Sequence, residues 1–306
     1  MSSGPIAGPL LGPLLDLGPG RIAAMDAAGI DVQVLSVSAP GVQHLRPEVA
    51  TPLARLANDR VHELLSAHPT RFAGMATLPM QSPADAAAEV MRAVDELGLS
   101  GVLVNSHTEG RYLDDPRFEP VLEAIVNADV PLYLHPREPS ETLAGAGIPG
   151  FTVGWAYAVE VGTHVLRMIS AGVFDRFPDL RIILGHLGES LPLLLDRIDD
   201  RYRFELTAVG GAPLERTPSS YFREHVWVTT SGMNFAAPVR AVVDILGPER
   251  VLFAADHPME DQAAAAAAFR ALDLNPHERT LISHENAERV FGLAPAGAAP
   301  GHERND

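Results

Sequence analysis

The stretch PLYLHPREP, residues 131–139, is a short apolar run that ends on a histidine. Four apolar or aromatic residues lead directly into His135, and Pro136 follows. An uninterrupted apolar run of this length is typical of a parallel strand that is buried on both faces. The number of such strands indicates the fold of the chain. The side chains that lie beside His135 indicate its function.

Six further runs of this kind alternate with segments of helical periodicity. This alternation predicts an α/β fold with a parallel sheet, and its closed form is a (β/α)8 TIM-barrel-like domain of about 250 residues. The predicted strands are 31–39, 72–78, 101–106, 131–135, 181–186, 226–231 and 251–256. The predicted helices are 51–68, 82–98, 115–129, 158–171, 189–206, 236–247 and the alanine-rich 261–272.

The predicted barrel covers residues 16–293 as a single domain. Residues 1–15 are predicted to be an irregular segment, in which Pro13 interrupts an apolar run and favours a loop or a short helix. Residues 294–306 lack bulky side chains and are predicted to be a disordered tail. Because only seven strands are found, we expect strand one of the barrel to be missing.

The composition excludes several classes of protein. The 306 residues carry a formal net charge of −16, which argues against nucleic acid or an anionic membrane as a partner. There is no cysteine, so disulfides, thiolate metal sites and a cysteine nucleophile are excluded, and a cytoplasmic location is expected. No apolar run reaches about 18 residues, so we expect neither a membrane span nor a signal peptide.

Polar side chains stand at the carboxyl ends of several predicted strands, which share one face in a barrel. The runs LYLH, IILGH and LFAAD end on His135, His186 and Asp256. Imidazole and carboxylate together suit zinc, manganese or a similar ion. Taken singly, each histidine could be structural, and Asp256 could cap the next helix; taken together, they indicate a metal site.

Other residues near these ends are candidates for supporting or binding roles. Glu189 follows His186 by three residues and could support the metal site or form a proton-relay pair that orients Asp256. The remaining residues are candidates for substrate binding. For each of them the alternative is a role at the surface, in an ion pair or in packing. They are Arg137 and Arg197 as a carboxylate clamp, Asn105 at the third strand end, and Trp155 in the long loop after the fourth strand.

These residues lie in blocks that resemble a known family. The most specific blocks are LYLHP, GHLGE and FAADHP, in that order, and GVLVNSHTEGRYLDDPRFEP is a further match. They resemble the amidohydrolase-related family, in the branch of the aromatic-acid decarboxylases such as γ-resorcylate and 2,3-dihydroxybenzoate decarboxylases. The resemblance covers about residues 16–293.

The resemblance implies a distorted (β/α)8 barrel of the metal-dependent hydrolase type, with one divalent ion, commonly zinc or manganese. It implies that His135 and Asp256 bind the ion and that Asp256 donates a proton. His186 would lie beside them, with Glu189 supporting it. The implied reaction is the non-oxidative decarboxylation of a hydroxylated aromatic carboxylic acid.

The sequence departs from this family at its start. Members begin with a strand ending in Glu-x-His or His-x-His, and no such motif precedes His44. A start site placed too late, a shortened chain and a true variant without metal all remain open. His257 stands where tyrosine is expected and could replace a ligand, although neighbouring residues of a strand point to opposite faces.

Three functions therefore remain open. The first is a metal-dependent carboxy-lyase, the second a hydrolase of a lactone or amide that uses a metal-bound water, and the third a non-catalytic barrel with an incomplete metal site. We also expect a homodimer or homotetramer, with helix 189–206 as a candidate interface.

Overall fold

The structure is a computed structural model that describes residues 7–210 and 212–294. Its seven parallel strands form one sheet in which each strand pairs with its neighbours along the chain. The fold is thus a (β/α)8 barrel of which seven strands are described. The strands are β1 (Gln33–Leu35), β2 (Phe72–Thr77), β3 (Gly101–Asn105), β4 (Leu132–His135), β5 (Ile182–Leu184), β6 (Val226–Thr229) and β7 (Val251–Leu252).

Helices cover the outside of this sheet and connect successive strands. Before β5 they are α1 (Ala7–Leu15), α2 (Pro19–Ala28), α3 (Pro47–Ala67), α4 (Pro83–Asp95), α5 (Glu119–Asn127), α6 (Tyr157–Ser170) and α7 (Val173–Arg176). After β5 they are the one-turn segment α8 (His186–Glu189), α9 (Leu195–Val209), α10 (Pro218–His225), α11 (Ala236–Leu246), α12 (Gln262–Arg270), α13 (Pro276–Thr280) and α14 (Asn286–Phe291). Shorter turns lie at Pro116–Phe118, Glu141–Ala146, Thr152–Ala156, Leu191–Leu194, Pro248–Arg250 and Leu281–Glu285.

The sequence patterns explain these elements. Every residue of β2 and β3 is buried, as expected for apolar strands covered on both faces. Helix α4 starts at Pro83, which suits a first helical turn because its missing N–H would be unpaired there. Its buried positions Ala86, Glu89, Val90 and Ala93 follow the i, i+3, i+4, i+7 pattern, which places them on one face.

The barrel interior is apolar at one end and polar at the other. Ile183, Leu252 and Val290 form a buried cluster against which Tyr133 and Trp227 pack. Val290 belongs to α14, so this last helix contributes to the apolar end. Side chains alternate along a strand, so the next interior position after Tyr133 is His135, at the polar end. This polar end is the mouth of the barrel.

The β1–β7 side is more open than the rest. All three residues of β1 are only half-buried, as are residues 253–258 after β7. Helix α12 bonds to two elements on this side. It bonds to β1, where Gln33 Nε2 donates to Gln262 Oε1 at 2.7 Å, and to α2, where Arg270 donates to the carbonyl of Ala28 at 3.1 Å. Strands β1 and β7 do not pair with each other among the described residues, so each keeps one unpaired edge.

The structure confirms all seven predicted strands and the barrel fold. Residues 7–15, for which we predicted a loop or a short helix within an irregular segment, form helix α1, and Pro13 lies inside it. Helices α2, α10, α13 and α14 and the one-turn segments α7 and α8 were not predicted. The predicted tail lies outside the described residues apart from position 294. Within the described ranges, no helix is both long and apolar enough to cross a membrane.

Candidate active site

His135 lies at the carboxyl end of β4 and is half-buried. Its Nδ1 is 2.7 Å from the carbonyl oxygen of Pro136. A carbonyl only accepts hydrogen bonds, so Nδ1 carries the proton and Nε2 keeps a free lone pair. Burial lowers the pKa of His135 to about 4. The imidazole is therefore neutral at pH 7, which is the form that binds a metal ion.

His186 and Glu189 lie on a left-handed turn that directly follows β5. Five consecutive residues have positive φ, and four of them are not glycine. A left-handed conformation costs about 1–2 kcal/mol for each such residue, so the surrounding structure must compensate for it. The φ angles are 50° for His186, 54° for Leu187, 72° for Gly188, 54° for Glu189 and 66° for Ser190.

The turn brings the two side chains together. His186 Nδ1 is 2.8 Å from Glu189 Oε1, and the Glu189 side chain is only 3% exposed. Burial opposes the charged form of His186, but the hydrogen bond to Glu189 and the nearby carboxylates outweigh it and raise the pKa of His186. Glu189 thus fixes the imidazole of His186, and Nε2 of that ring faces Asp256.

Asp256 follows β7 and completes this group. Its Oδ2 is 4.0 Å from His186 Nε2, and its side chain is 35% exposed. Burial raises the pKa of Asp256, Glu260 raises it further, and His186 opposes both. A carboxyl group with a raised pKa at the mouth is suited to proton transfer.

A chain of hydroxyl groups lies beneath His186. Thr229 Oγ1 is 2.8 Å from Ser231 Oγ, which accepts from the backbone N–H of His186 at 3.3 Å. Tyr133 OH lies 3.5 Å from Thr229 Oγ1, and burial raises the pKa of Tyr133 to about 12. We did not predict Tyr133 as a site residue; its position two residues before His135, on the same face of the strand, was the available signal.

Two predicted substrate contacts have buried polar atoms without partners. Asn105 is 1% exposed, its backbone N–H and carbonyl bond the side chain of Gln43, and its Oδ1 has no hydrogen-bond partner among the described residues. Arg137 donates through NH1 to the carbonyl of His107 at 3.2 Å, while its buried Nε has no such partner. A buried polar atom without a partner is costly, and a bound ligand or a water that pairs with either atom would remove that cost.

The other predicted residues lie further out. Arg197 is exposed on α9, and no hydrogen bond or ion pair joins it to the group above. Trp155 is 56% exposed on the turn Thr152–Ala156 that precedes α6. His257 is half-buried, and burial lowers its pKa. Their proposed roles stay predictions.

The metal donors are of the right kind but too few. His135 offers a free Nε2 and Asp256 a carboxylate, both of which suit zinc or manganese. Catalytic zinc usually has three protein ligands. Across residues 7–210 and 212–294, no group of three or more histidine, cysteine, aspartate or glutamate side chains could hold an ion. The roles of His135 and Asp256 as metal ligands therefore stay predictions, and the described residues do not supply a third ligand.

Comparisons with known proteins find relatives that match most of this chain. The amidohydrolase family model matches residues 12–293. γ-Resorcylate decarboxylase from Rhodococcus jostii (strain RHA1) is 39% identical over 297 residues, covering 92% of this chain and 89% of that protein.

Two crystal structures are similar over nearly the whole chain. 5-Carboxyvanillate decarboxylase from Sphingomonas paucimobilis has a TM-score of 0.90 and 42% identity, covering 94% of this chain and 87% of that one. A dihydroxybenzoic acid decarboxylase from Polaromonas sp. JS666, with bound manganese and the inhibitor 2-nitroresorcinol, has a TM-score of 0.87 and 37% identity. That match covers 93% of this chain and 89% of the other.

Proposed function

This chain belongs to the amidohydrolase family, and from that premise we propose that it is a metal-dependent decarboxylase of a hydroxylated aromatic carboxylic acid. One observation carries the proposal. The supported imidazole of His186 lies 4.0 Å from Asp256 at the mouth of the barrel. A proton donor is thus held beside an imidazole that can stabilise the carboxylate left after the proton has been transferred to an aromatic ring.

Asp256 is the proton donor in this proposal. It transfers a proton to the ring carbon that bears the carboxylate, which interrupts the aromatic system. The bond to the carboxylate then breaks, its electron pair restores the ring, and carbon dioxide leaves. His186 holds the carboxylate of Asp256 after the transfer, and Glu189 fixes the ring of His186.

Asn105 and Arg137 are the proposed substrate contacts. The Nε of Arg137 is a free donor that suits a carboxylate oxygen, and Oδ1 of Asn105 is a free acceptor that suits a ring hydroxyl. Both atoms are buried, so a substrate that pairs with them removes an existing cost. A ring with a hydroxyl group but no carboxylate would satisfy only one of the two.

A single divalent metal ion fits this family, and the solved relative from Polaromonas carries manganese. In this chain, His135 and Asp256 are the two residues that would contact the ion. The described residues do not complete the set of ligands for that ion.

The chain also has features of an oligomer, and we infer a homodimer or homotetramer. Helix α9 and the turn before it expose Leu193, Leu194, Phe204 and Val209, each between 45% and 85%. Exposed apolar side chains on one segment are typical of an interface. The cytoplasmic location stays a prediction.

A direct assay tests the function. The protein is incubated with 2,6-dihydroxybenzoate or 5-carboxyvanillate, with and without added Mn²⁺ or Zn²⁺, and the release of carbon dioxide is followed. Elemental mass spectrometry gives the metal content per chain. We expect metal-dependent release of carbon dioxide. Ring opening of an aryl lactone without carbon dioxide release would favour a hydrolase, and neither reaction on metal-loaded protein would favour a non-catalytic barrel.

A further inference from the structure

A buried carboxylate lies behind the mouth, outside the group described above. Glu160 on α6 is 0% exposed. Its Oε1 accepts from Ser106 Oγ at 3.0 Å, and its Oε2 accepts from Tyr112 OH at 3.2 Å and from the backbone N–H of Ser140 at 3.0 Å. No lysine or arginine of the described residues forms an ion pair with it. Three donors therefore offset the cost of burying this carboxylate.

His164, one turn later on α6, gives the network a direction. Its Nε2 accepts from the backbone N–H of Leu113 at 2.8 Å, so the ring proton is on Nδ1. Nδ1 then donates to Ser106 Oγ at 3.1 Å, and the hydroxyl of Ser106 donates to Glu160. Burial lowers the pKa of His164 to about 3, in agreement with a neutral ring.

The donors come from the two segments that carry the substrate contacts. Ser106 directly follows Asn105 at the end of β3, and its φ of 40° is strained for a serine. Ser140 follows Arg137 by three residues after β4. Glu160 thus holds both segments at points within three residues of the two unpartnered atoms.

A second set of hydrogen bonds joins the two segments directly. His107 Nδ1 accepts from the backbone N–H of Gly110, so Nε2 carries the proton and donates to the carbonyl of Glu138 at 3.1 Å. In return, Arg137 donates to the carbonyl of His107. A shift of either segment would therefore move the guanidinium of Arg137.

From this arrangement we propose that Glu160 is a positioning residue for substrate binding, which acts by fixing the segments that carry Asn105 and Arg137. The proposal rests on the function proposed above, because it takes these two residues as substrate contacts. A fully satisfied buried network specifies one geometry of the groups around it. Loss of one of its hydrogen bonds should therefore weaken substrate binding as well as stability.

Two tyrosines allow a matched test. Tyr112 and Tyr221 are both buried, both donate to a carboxylate, and both have an arginine over the ring. Tyr112 bonds Glu160 behind the mouth. Tyr221, on α10 before β6, bonds Asp175 on α7 before β5, at the opposite end of the strands. Tyr112→Phe thus removes the bond to Glu160 and the 2.7 Å hydrogen bond between the Tyr112 and Ser140 hydroxyl groups at one end, and Tyr221→Phe removes the bond to Asp175 at the other.

We expect both variants to be less stable, but only Tyr112→Phe to bind substrate more weakly. Its KM for the aromatic acid should rise about tenfold while kcat changes less than about threefold, since it loses binding and not proton transfer. Glu160→Gln should raise KM as well, because its amide oxygen still accepts from Tyr112 and Ser140 but its NH₂ cannot accept from the hydroxyl of Ser106. Equal KM effects in Tyr112→Phe and Tyr221→Phe, or no effect in either, would overturn the proposal.

Hydrogen–deuterium exchange separates this proposal from the proposed function. Amides in 105–113 and 136–141, including Ser140, should exchange faster in Tyr112→Phe than in the native protein or Tyr221→Phe. Unchanged exchange would refute the network even if the chain had no activity. Arg137→Gln is the complementary variant: an unchanged KM would remove Arg137 as a substrate contact, whatever the exchange result.

Discussion

Asp256 combines a raised pKa with a position 4.0 Å from a supported imidazole, so its removal is the most direct test of the mechanism. Asp256→Asn keeps the shape of the side chain but cannot donate a carboxyl proton. We expect kcat to fall at least about 100-fold, the lower range for loss of a general acid, with an unchanged circular dichroism spectrum. Glu123→Gln, at an exposed carboxylate on α5 away from this group, is the control and should retain activity. Substantial turnover by Asp256→Asn would exclude Asp256 as the acid.

His164 gives a prediction about pH. Its pKa is near 6.5 in the unfolded chain and about 3 in the folded protein, so between these values only the unfolded chain binds the proton. Stability is therefore fully present above about pH 6.5 and is lost as the pH falls, by up to about 1.4 kcal/mol per unit. Urea unfolding at pH 7.5 and 5 measures this. The His164→Gln variant should lose less stability over this interval than the native protein; an equal loss would contradict the assignment.

The left-handed turn after β5 is the element on which the site depends most. A Cβ on Gly188 would lie 2.8 Å from Val228 Cγ1 and 3.2 Å from Pro192 Cδ, in a backbone with φ of 72°. We expect Gly188→Ala to lower the free energy of unfolding by about 1–3 kcal/mol and to reduce activity, because His186 and Glu189 flank this position.

Ser190→Gly is the matched variant in the same turn. Ser190 is exposed and has a φ of 66°, which glycine adopts without strain. We expect it to keep or raise stability, by up to about 1 kcal/mol, and to keep activity. If Ser190→Gly destabilised the protein as much as Gly188→Ala, strain in the turn would not be the cause. Denaturant titration of both variants gives the comparison.

At the scale of the whole molecule, the exposed apolar side chains of α9 predict self-association. Phe204 is 59% exposed, and Phe204→Glu would place a charge in the proposed interface. We expect light scattering to show a dimer or tetramer for the native chain and a shift towards the monomer for this variant. Leu56→Glu, at a leucine 63% exposed on α3, is the control. A monomeric native chain would contradict the prediction.

The amino-acid sequence by itself determined the seven strands, the parallel sheet and the residues at its mouth. His135, His186 and Asp256 could be found because apolar runs end on them, and because the ends of parallel strands share one face. The resemblance to the family added the reaction and the expected roles. These features depend on local pattern, which the sequence carries directly.

Only the tertiary structure decided how these residues are held. The segment GHLGES contains two glycines, yet its left-handed turn includes four residues of other types, because contacts across the barrel compensate for the strain. Glu160 and His164 have the spacing of an ordinary helix face, and nothing local distinguishes them. Their partners lie about 20 to 60 residues away along the chain, so packing alone joins them to the mouth. The network that positions the site is thus a property of the fold.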